Sequence, residues 1–328
     1  MPLLEVRDLA VRYTAPAGAV HAVRGVSFDL EAGGALAVVG ESGSGKSSLV
    51  AALAGMSPPE ATVRGSARLE GRELLDLDAP AWRSLRGRSL GVLFQETGEA
   101  MDPTMPVGRQ LAEVYGFHAG LPHRAARARA AEALTAMGLP DWAADAYPHM
   151  LSGGMRRRAL LALALAGEPS VLLADEPTAG LDATVARQIS GLLASLRRDR
   201  GLALLLVTHQ LGLVARVADR VLVLYGGTAV EQGPVPSVLS RPAHPYTQAL
   251  LAAAPPAPGT AVHPPRVLGG RAPDARAEPA GCPFAPRCLR AFARCEEALP
   301  PAFAAAPEAP AHAVRCFLAA DNGPGELR

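Results

Sequence analysis

The glycine-rich segment GESGSGKS, at positions 40–47, constrains the fold of this chain more than any other feature. It follows the apolar run ALAVV and precedes the helical pattern SLVAALAG, which is the strand–loop–helix setting that a phosphate-binding loop (P-loop) requires. Backbone N–H groups of such a loop surround phosphate oxygens, and the N-terminus of the next helix adds partial positive charge. We therefore predict that nucleotide phosphates are bound by Gly40, Glu41, Ser42, Gly43, Ser44, Gly45, Lys46, Ser47 and Ser48.

Lys46 is the only lysine in a chain with 32 lysine and arginine side chains. A coding bias explains the arginines, and the one lysine then marks a place where arginine does not substitute. A compact ammonium fits around crowded negative charge where a planar guanidinium does not. We predict that Lys46 contacts the β- and γ-phosphates of ATP and that the Ser47 hydroxyl binds Mg²⁺. The alternative, a chance Gly/Ser-rich turn, explains neither the spacing nor the setting.

A second motif, VLLADEP at positions 171–177, ends an apolar run with two carboxylates. A buried strand of this kind delivers Asp175 to the carboxyl edge of a parallel sheet, where it can hold Mg²⁺ through water. Glu176 is then placed to polarise the attacking water. An Asp-Glu pair alone is usually a solvated strand end, but beside a P-loop it indicates ATP hydrolysis.

Strand and helix patterns alternate along most of the chain. We predict strands within 3–38 and at 66–70, 171–174, 202–208, 221–225 and 229–231, and helices at 47–55, 107–115, 124–137, 154–166 and 183–198. This alternation predicts an α/β fold with a largely parallel sheet covered on both faces.

Charge and hydropathy exclude several classes of protein. The net charge is +1 and aromatic residues make up 4%, so we expect no nucleic-acid partner. No apolar run approaches the ~20 residues of a membrane-spanning helix. The first residues lack the pattern of a signal peptide, and we therefore expect a soluble, cytoplasmic protein.

The segment LSGGM, at positions 151–155, is the point at which the sequence resembles a known family. Together with the two motifs above, it makes residues 1–250 similar to the ATP-binding subunits of ABC transporters. The resemblance implies a P-loop NTPase of the ABC ATPase type, with a mostly parallel sheet core, an antiparallel β subdomain and a helical subdomain near residues 80–150. It also implies that Ser152, Gly153 and Gly154 cap the γ-phosphate of ATP held by an opposite subunit.

Weaker motifs of the same family follow in the expected order. The resemblance implies that Tyr13 stacks on adenine, that Gln95 is a catalytic glutamine at Mg²⁺, that Asp182 belongs to the nucleotide-contacting D-loop, and that His209 is the catalytic switch histidine. Each has a plain structural alternative. Tyr13 is also a reasonable core aromatic, and Gln95 and His209 are ordinary polar residues at strand ends.

Two features indicate one branch of the family. Met155 ends the signature where Gln is common, and HPYTQALLAAAP occupies positions 244–255. Both resemble the ATP-binding subunits of dipeptide and oligopeptide importers, with nickel importers as close relatives. An amphipathic helix with an N-terminal proline explains the helicity of the second segment but not the motif. Four departures from the family pattern leave the cargo and the membrane partner open, namely Glu96-Thr97, Arg157, Gly180 and Gln210.

All four cysteines lie near the C-terminus, at Cys282, Cys288, Cys295 and Cys316. In a cytosolic chain such a cluster indicates a metal rather than disulfides. Structural zinc sites usually begin with a closer pair of cysteines, whereas the looser spacing suits an iron–sulfur cluster. A [4Fe–4S] cluster is also what the resemblance implies, with zinc and free or oxidised thiols as alternatives.

These observations predict a modular chain. The predicted parts are a nucleotide-binding domain at 1–235, a helical HPY region at 236–255, a linker at 256–280, a Cys-rich metal-binding module at 281–318 and a tail at 319–328.

The resemblance implies an ATP hydrolase that powers import of di- or oligopeptides, as a peripheral subunit at the cytoplasmic face of the cell membrane. Two ATPase subunits, identical or paralogous, would drive two transmembrane permease subunits, with an extracytoplasmic solute-binding protein as an indirect partner. A nickel importer and an accessory subunit of a phosphonate-degrading complex are alternatives, and the long cysteine tail disfavours the second. A soluble ABC ATPase of nucleic-acid repair or translation would need a coiled coil, a second cassette or a basic insert, and the sequence shows none of these.

Overall fold

The computed structural model describes residues 1–16, 18–94, 100–253, 269–270, 273–306 and 308–321. Contacts divide the chain into two units, each built from several segments. The first unit comprises Met1–Leu3, Leu30–Ala35 and Asp76–Val207, and the second comprises Leu4–Asp29, Leu36–Leu75 and Thr208–Arg328.

The strands within the described residues are β1 (Leu4–Ala15), β2 (Gly18–Leu30), β3 (Ala35–Val39), β4 (Ala61–Leu69), β5 (Arg72–Glu73), β6 (Leu90–Leu93), β7 (Val171–Asp175), β8 (Ala203–Val207), β9 (Arg220–Tyr225), β10 (Thr228–Pro234), β11 (Phe303–Ala304) and β12 (Ala313–Val314).

The helices are α1 (Lys46–Leu53), α2 (Ala79–Leu85), α3 (Val107–Ala119), α4 (His123–Ala136), α5 (Gly153–Leu165), α6 (Ala183–Arg200), α7 (Leu211–Val217), α8 (Val235–Ser240), α9 (Pro245–Ala253), α10 (Ala293–Glu297) and α11 (Phe317–Asp321). Short 3₁₀ turns occur at Asp141–Ala144, Pro148–Met150 and Ala285–Arg287. Among the described helices, none is long and apolar enough to cross a membrane.

The first unit contains a parallel sheet in the order β6-β7-β8. Every residue of β7 and β8 is buried, which explains their continuous apolar sequences. The register pairs Ala174 with Leu93 on one side and with Leu206 on the other, and Asp175 with Val207. This pairing puts Asp175 at the carboxyl edge of the sheet.

The second unit contains an antiparallel sheet in the order β2-β1-β4-β5. Strand β4 pairs antiparallel with both β1 and β5, and its register with β1 runs from Leu4↔Leu69 to Tyr13↔Ala61. The sheet is the antiparallel β subdomain that the family resemblance implied.

In the same unit, β3 pairs parallel with β9, and the sheet then continues antiparallel through β10, β12 and β11. A core of apolar side chains packs around these strands and includes Val223, Tyr225, Tyr246 and Phe284. Residues from β9, from α9 and from the cysteine-containing segment therefore share one buried cluster.

The predicted helices and strands are present in the structure, with ends that shift by a few residues. Three details differ from the sequence-based prediction. Strand β6 (Leu90–Leu93) pairs parallel with β7 but lies within residues 80–150, for which the sequence predicts a helical subdomain, because so short an apolar run does not reveal its period. The sheet is antiparallel after β9, and β11 and β12, which lie within the predicted Cys-rich module, belong to it. The sequence does not indicate these two-residue strands because they are too short to leave a hydropathy pattern. Most of the predicted linker, and residues 322–328 of the predicted tail, lie outside the described residues. The domain boundaries remain a prediction.

Candidate functional site

The P-loop joins β3 to α1 through a backbone that requires glycine at two positions. Gly45 has φ of 101°, and a Cβ atom there would collide with the carbonyl oxygen of Ala22. A Cβ atom at Gly40 would collide with the carbonyl oxygen of Leu224. The spacing of the motif is therefore a steric requirement of this turn.

Lys46 is folded back across the loop that precedes it. Its Nζ donates to the carbonyl oxygens of Gly40 and Glu41, each at 2.8 Å, and lies 3.4 Å from Ser44 Oγ. Lys46 is 9% exposed, and these contacts hold its ammonium against the loop. The exposed members of the predicted phosphate-binding set are Ser42, Gly43 and Ser47, and those half-buried are Glu41, Gly45 and Ser48.

Asp175 and Glu176 lie in the first unit, where the apolar strand β7 ends. They are 2% and 5% exposed. Glu176 has φ of 47°, and its N–H donates to the carbonyl oxygen of Val207 at 2.8 Å. A positive φ is unfavourable for a residue other than glycine. Such a conformation persists only where the surrounding structure imposes it, and it occurs often at functional sites.

Arg157, one of the departures from the family pattern, reaches this edge from α5. Its guanidinium donates to the carbonyl oxygens of Glu176 and Phe94, each at 2.9 Å. Burial lowers the pKa of Arg157, while the charges of Asp175 and Glu176 oppose that shift. The arginine thus brings buried positive charge to two acidic residues, which the sequence alone did not reveal.

The signature residues form the start of α5. Ser152 Oγ accepts the N–H of Met155 at 3.2 Å, which caps the helix, and Gly153 is exposed with open space where a Cβ atom would point. A Cβ atom at Gly154 would come within 2.9 Å of Val185, so a glycine keeps this part of α5 close to α6.

Asp182 caps the N-terminus of α6. Its carboxylate accepts the N–H groups of Thr184 at 2.9 Å and Val185 at 3.0 Å. These two N–H groups have no partner within the helix, so Asp182 has a structural role as the helix cap.

Three further residues were predicted to belong to the site, namely Tyr13, Gln95 and His209. Tyr13 is half-buried near the end of β1, and His209 is exposed just after β8. Gln95 lies outside the described residues.

The four cysteines line one small cavity in the second unit. Burial raises the pKa of the Cys282 thiol to about 11, and it also raises the pKa values of Cys288 and Cys316. Backbone N–H groups of Phe284, Arg290 and Leu318 donate to these three sulfurs and oppose the shift. Such N–H···S contacts and mutual proximity suit thiolates that share a metal cluster. Even so, within the described part of the chain no group of three or more metal-ligating side chains has the geometry to hold a metal ion.

Other contacts at the P-loop join residues that are distant in the sequence. The Glu41 N–H donates to Tyr246 Oη at 2.8 Å, and the Glu41 carboxylate forms an ion pair with Arg287. The sequence identifies HPYTQALL only by its resemblance to a family motif. The hydrogen bond between its tyrosine and the P-loop gives the motif a physical role.

Comparison with known families gives two matches along the chain. The ABC transporter family matches residues 23–179, and the C-terminal region of oligopeptide/dipeptide transporters matches residues 230–295.

Relatives of similar length extend these matches. An oligopeptide transport ATP-binding protein of Haemophilus influenzae is 40% identical over 90% of this chain and 92% of its own length. One from Bacillus subtilis is 41% identical over 92% of this chain and 85% of its own length.

Solved structures of ABC transporter cassettes have the same fold as part of this chain. The dimeric bacterial ABC transporter cassette MJ0796 superposes with a TM-score of 0.65 at 26% identity, over 71% of this chain and 98% of that one. The fold and the matched residues establish that this chain belongs to the ATP-binding proteins of ABC transporters, in the group that carries the oligopeptide/dipeptide transporter C-terminal region.

Proposed function

We propose that this chain hydrolyses ATP to power the import of di- or oligopeptides through a membrane ABC transporter. The observation that carries the proposal is the presence, in one chain, of an ABC cassette with an intact P-loop and the oligopeptide/dipeptide C-terminal region. The relatives named for oligopeptide transport, which align over most of their length, support peptides over nickel as the cargo.

In this proposal the P-loop residues 40–48 bind the phosphates, with Lys46 as the point charge among them and Tyr13 stacked on adenine. Glu176 accepts a proton from the attacking water, while Gln95 and His209 complete the catalytic set. The buried Asp175 carboxylate and the exposed Ser47 hydroxyl are oxygen donors suited to Mg²⁺, and Gln95 is the third proposed ligand. The metal ion, when bound, supplies charge neutralisation at the phosphates.

Assembly follows from the signature residues. We propose that Ser152, Gly153 and Gly154, together with Asp182, contact the nucleotide of a second ATPase subunit, either a copy or a paralogue. A related cassette has been solved as a dimer bound to ADP and Pi, which supports this arrangement. The exposed start of α5 supports it too, because a helix N-terminus attracts phosphate.

The same proposal gives the chain a peripheral position at the cytoplasmic face of the membrane, against two permease subunits, with an extracytoplasmic solute-binding protein as the indirect partner. Exposed apolar side chains in the helical region, Phe117, Trp142 and Met150, support docking of an apolar partner there.

The test is co-expression with two permease subunits and, if one is encoded nearby, a second ATPase. We expect a stable complex whose ATP hydrolysis in vesicles rises with peptide-loaded binding protein. Stimulation by nickel-loaded protein instead, or no association with permeases, would contradict the proposed cargo or the proposed transporter.

We also propose that the cysteine cavity holds a [4Fe–4S] cluster through Cys282, Cys288, Cys295 and Cys316. The convergence of four thiols with three N–H···S contacts supports it. Anaerobically purified protein should contain about four irons and matching sulfide per chain, and Cys288→Ser should lose both. One zinc per chain, with no iron, would identify a structural zinc site instead.

A further inference from the structure

Arg287, from the segment that carries the four cysteines, forms an ion pair with Glu41 of the P-loop. Arg287 Nη1 lies 2.8 Å from Glu41 Oε2, and Nη2 lies 3.2 Å from Oε1, so the guanidinium and the carboxylate pair with two parallel hydrogen bonds. The arginine side chain is 5% exposed and that of Glu41 is 27% exposed. A bidentate, largely buried arginine–carboxylate pair is a stronger and more directional interaction than an ordinary surface ion pair.

Further contacts fix the guanidinium in place. Its Nε donates to the carbonyl oxygen of Gly269 at 2.8 Å, and Nη1 also donates to Tyr225 Oη at 3.1 Å. Arg287 ends the 3₁₀ turn Ala285–Arg287, and the next residue is Cys288. The segment that carries the cysteine cavity therefore also sets the direction of the arginine.

A second contact holds the same P-loop residue through its backbone. Tyr246 Oη accepts the N–H of Glu41 at 2.8 Å, and its ring packs against Tyr225 and Phe284 with ring centres 4.5 Å and 5.4 Å apart. Both groups of Glu41, the carboxylate and the N–H, are thus engaged by residues from the C-terminal part of the second unit.

The charge of the Glu41 carboxylate matters because the proposed ligand, ATP, carries several negative charges of its own. A P-loop must accept a polyphosphate, and an uncompensated carboxylate in the same loop would repel that negative charge. A paired carboxylate that is turned toward an arginine has its charge compensated. The pair thus removes an unfavourable interaction that the sequence of the loop itself creates.

We propose that Arg287 is a positioning residue of the nucleotide site, which neutralises Glu41 and holds it clear of the bound phosphates. The proposal rests on the proposed binding of ATP at residues 40–48. It assigns to the C-terminal segment a direct influence on nucleotide affinity, separate from any role of its cysteines.

The test is a double-mutant cycle in the full-length chain, with Arg287→Gln, Glu41→Gln and the double variant. Dissociation constants for Mg-ADP are measured by calorimetry. We expect Arg287→Gln to weaken binding about tenfold, because it exposes an unpaired carboxylate to the phosphates. In the Glu41→Gln background the same arginine change should cost less than about twofold, because the carboxylate is already gone.

Two readouts separate this role from a structural one. The effect of Arg287→Gln should shrink as salt is raised, since added ions screen the repulsion, and it should appear in KM for ATP more than in kcat. Arg276→Gln is the matched control, because Arg276 belongs to the same segment but pairs with Asp274 at 3.0 Å. If Arg287→Gln fails to fold, Arg287→Met, which keeps an unbranched side chain but carries no charge, takes its place in the cycle.

Equal losses in both backgrounds would overturn the proposal, as would wild-type affinity in the Arg287 variants. Failure of the wild-type chain to bind Mg-ADP or Mg-ATP at all would instead overturn the proposed function, and the role of Arg287 with it.

Discussion

Among single residues, Lys46 is the clearest case of a side chain whose chemistry is set by its surroundings. Its ammonium already donates to two carbonyl oxygens of the P-loop within 2.8 Å. One compact nitrogen makes both contacts, whereas a guanidinium would have to place a broader planar group in the same space. The contacts of Lys46 therefore explain why this one position has lysine in a chain whose other basic side chains of this kind are arginines.

We expect Lys46→Arg to bind and hydrolyse ATP about as poorly as Lys46→Ala, with turnover reduced about 100-fold or more. The larger head group cannot enter the loop without displacing its backbone. The measurement is ATP turnover with the partner subunits present, with thermal unfolding as a check on the fold. Near-normal turnover by the arginine variant would show that charge alone suffices.

Within the secondary structure elements, the sequence predicted what depends on neighbours in the chain and missed what depends on distant ones. The apolar run of β7 and the spacing of the P-loop are local patterns, and each was found. The cap that Asp182 provides for α6 is also local, but the sequence analysis predicted Asp182 only as a D-loop residue. Arg287 and Glu41 are 246 residues apart, and many arginines could have matched that carboxylate equally well. Arg157 did leave a signal, because it stood where the family has Gln, but its contact with Glu176 required coordinates.

The start of α9 shows another long-range arrangement. Buried Glu231, from β10, accepts the N–H groups of Ala243 at 2.8 Å and His244 at 2.9 Å, and it contacts His312 Nε2 at 2.6 Å. His244 Nδ1 in turn accepts the N–H of Tyr246 at 3.0 Å. One carboxylate thereby joins β10, the entry to α9 and the segment before β12.

This arrangement predicts a pH-dependent stability. Burial lowers the pKa of His244 to about 4, with the charge of Glu231 opposing the shift. Unfolded histidine binds a proton near pH 6.5, so protons favour the unfolded chain between those values, and stability is full above pH 6.5 and lost as pH falls toward 4. We expect His244 to contribute a loss of about 3 kcal/mol across that window.

The measurement is the thermal midpoint of wild type and His244→Gln from pH 7.5 to 4. The variant should show a flatter profile, whereas His123→Gln, at an exposed site, should keep the wild-type slope. Glu231 and His312, which face the same buried region, are unchanged in both variants, so the difference between the two slopes reports the loss of His244. Identical slopes in both variants would contradict the assignment.

At the scale of the whole molecule, hydrolysis is proposed to require two subunits, so loss of the base should trap the assembled state. In Glu176→Gln the carboxylate that accepts the proton is gone, while the phosphate and signature contacts remain. We expect an Mg-ATP-dependent dimer that does not turn over, detected by size-exclusion chromatography, with Mg-ADP as the control. If the natural partner is a paralogue, both chains are mixed, and a persistently monomeric profile would then contradict the proposed assembly.

The pairing of β10 with β12 has a consequence for synthesis on the ribosome. Strand β12, which pairs with the edge of β10 that β9 leaves free, follows β10 in the chain only after α8, α9 and the cysteine-containing segment. Until then the nascent polypeptide presents an open row of backbone donors and acceptors, which invites pairing with other chains. A chain truncated after α9 should thus aggregate rather than form a shorter working ATPase, because the edge of β10 would stay uncovered.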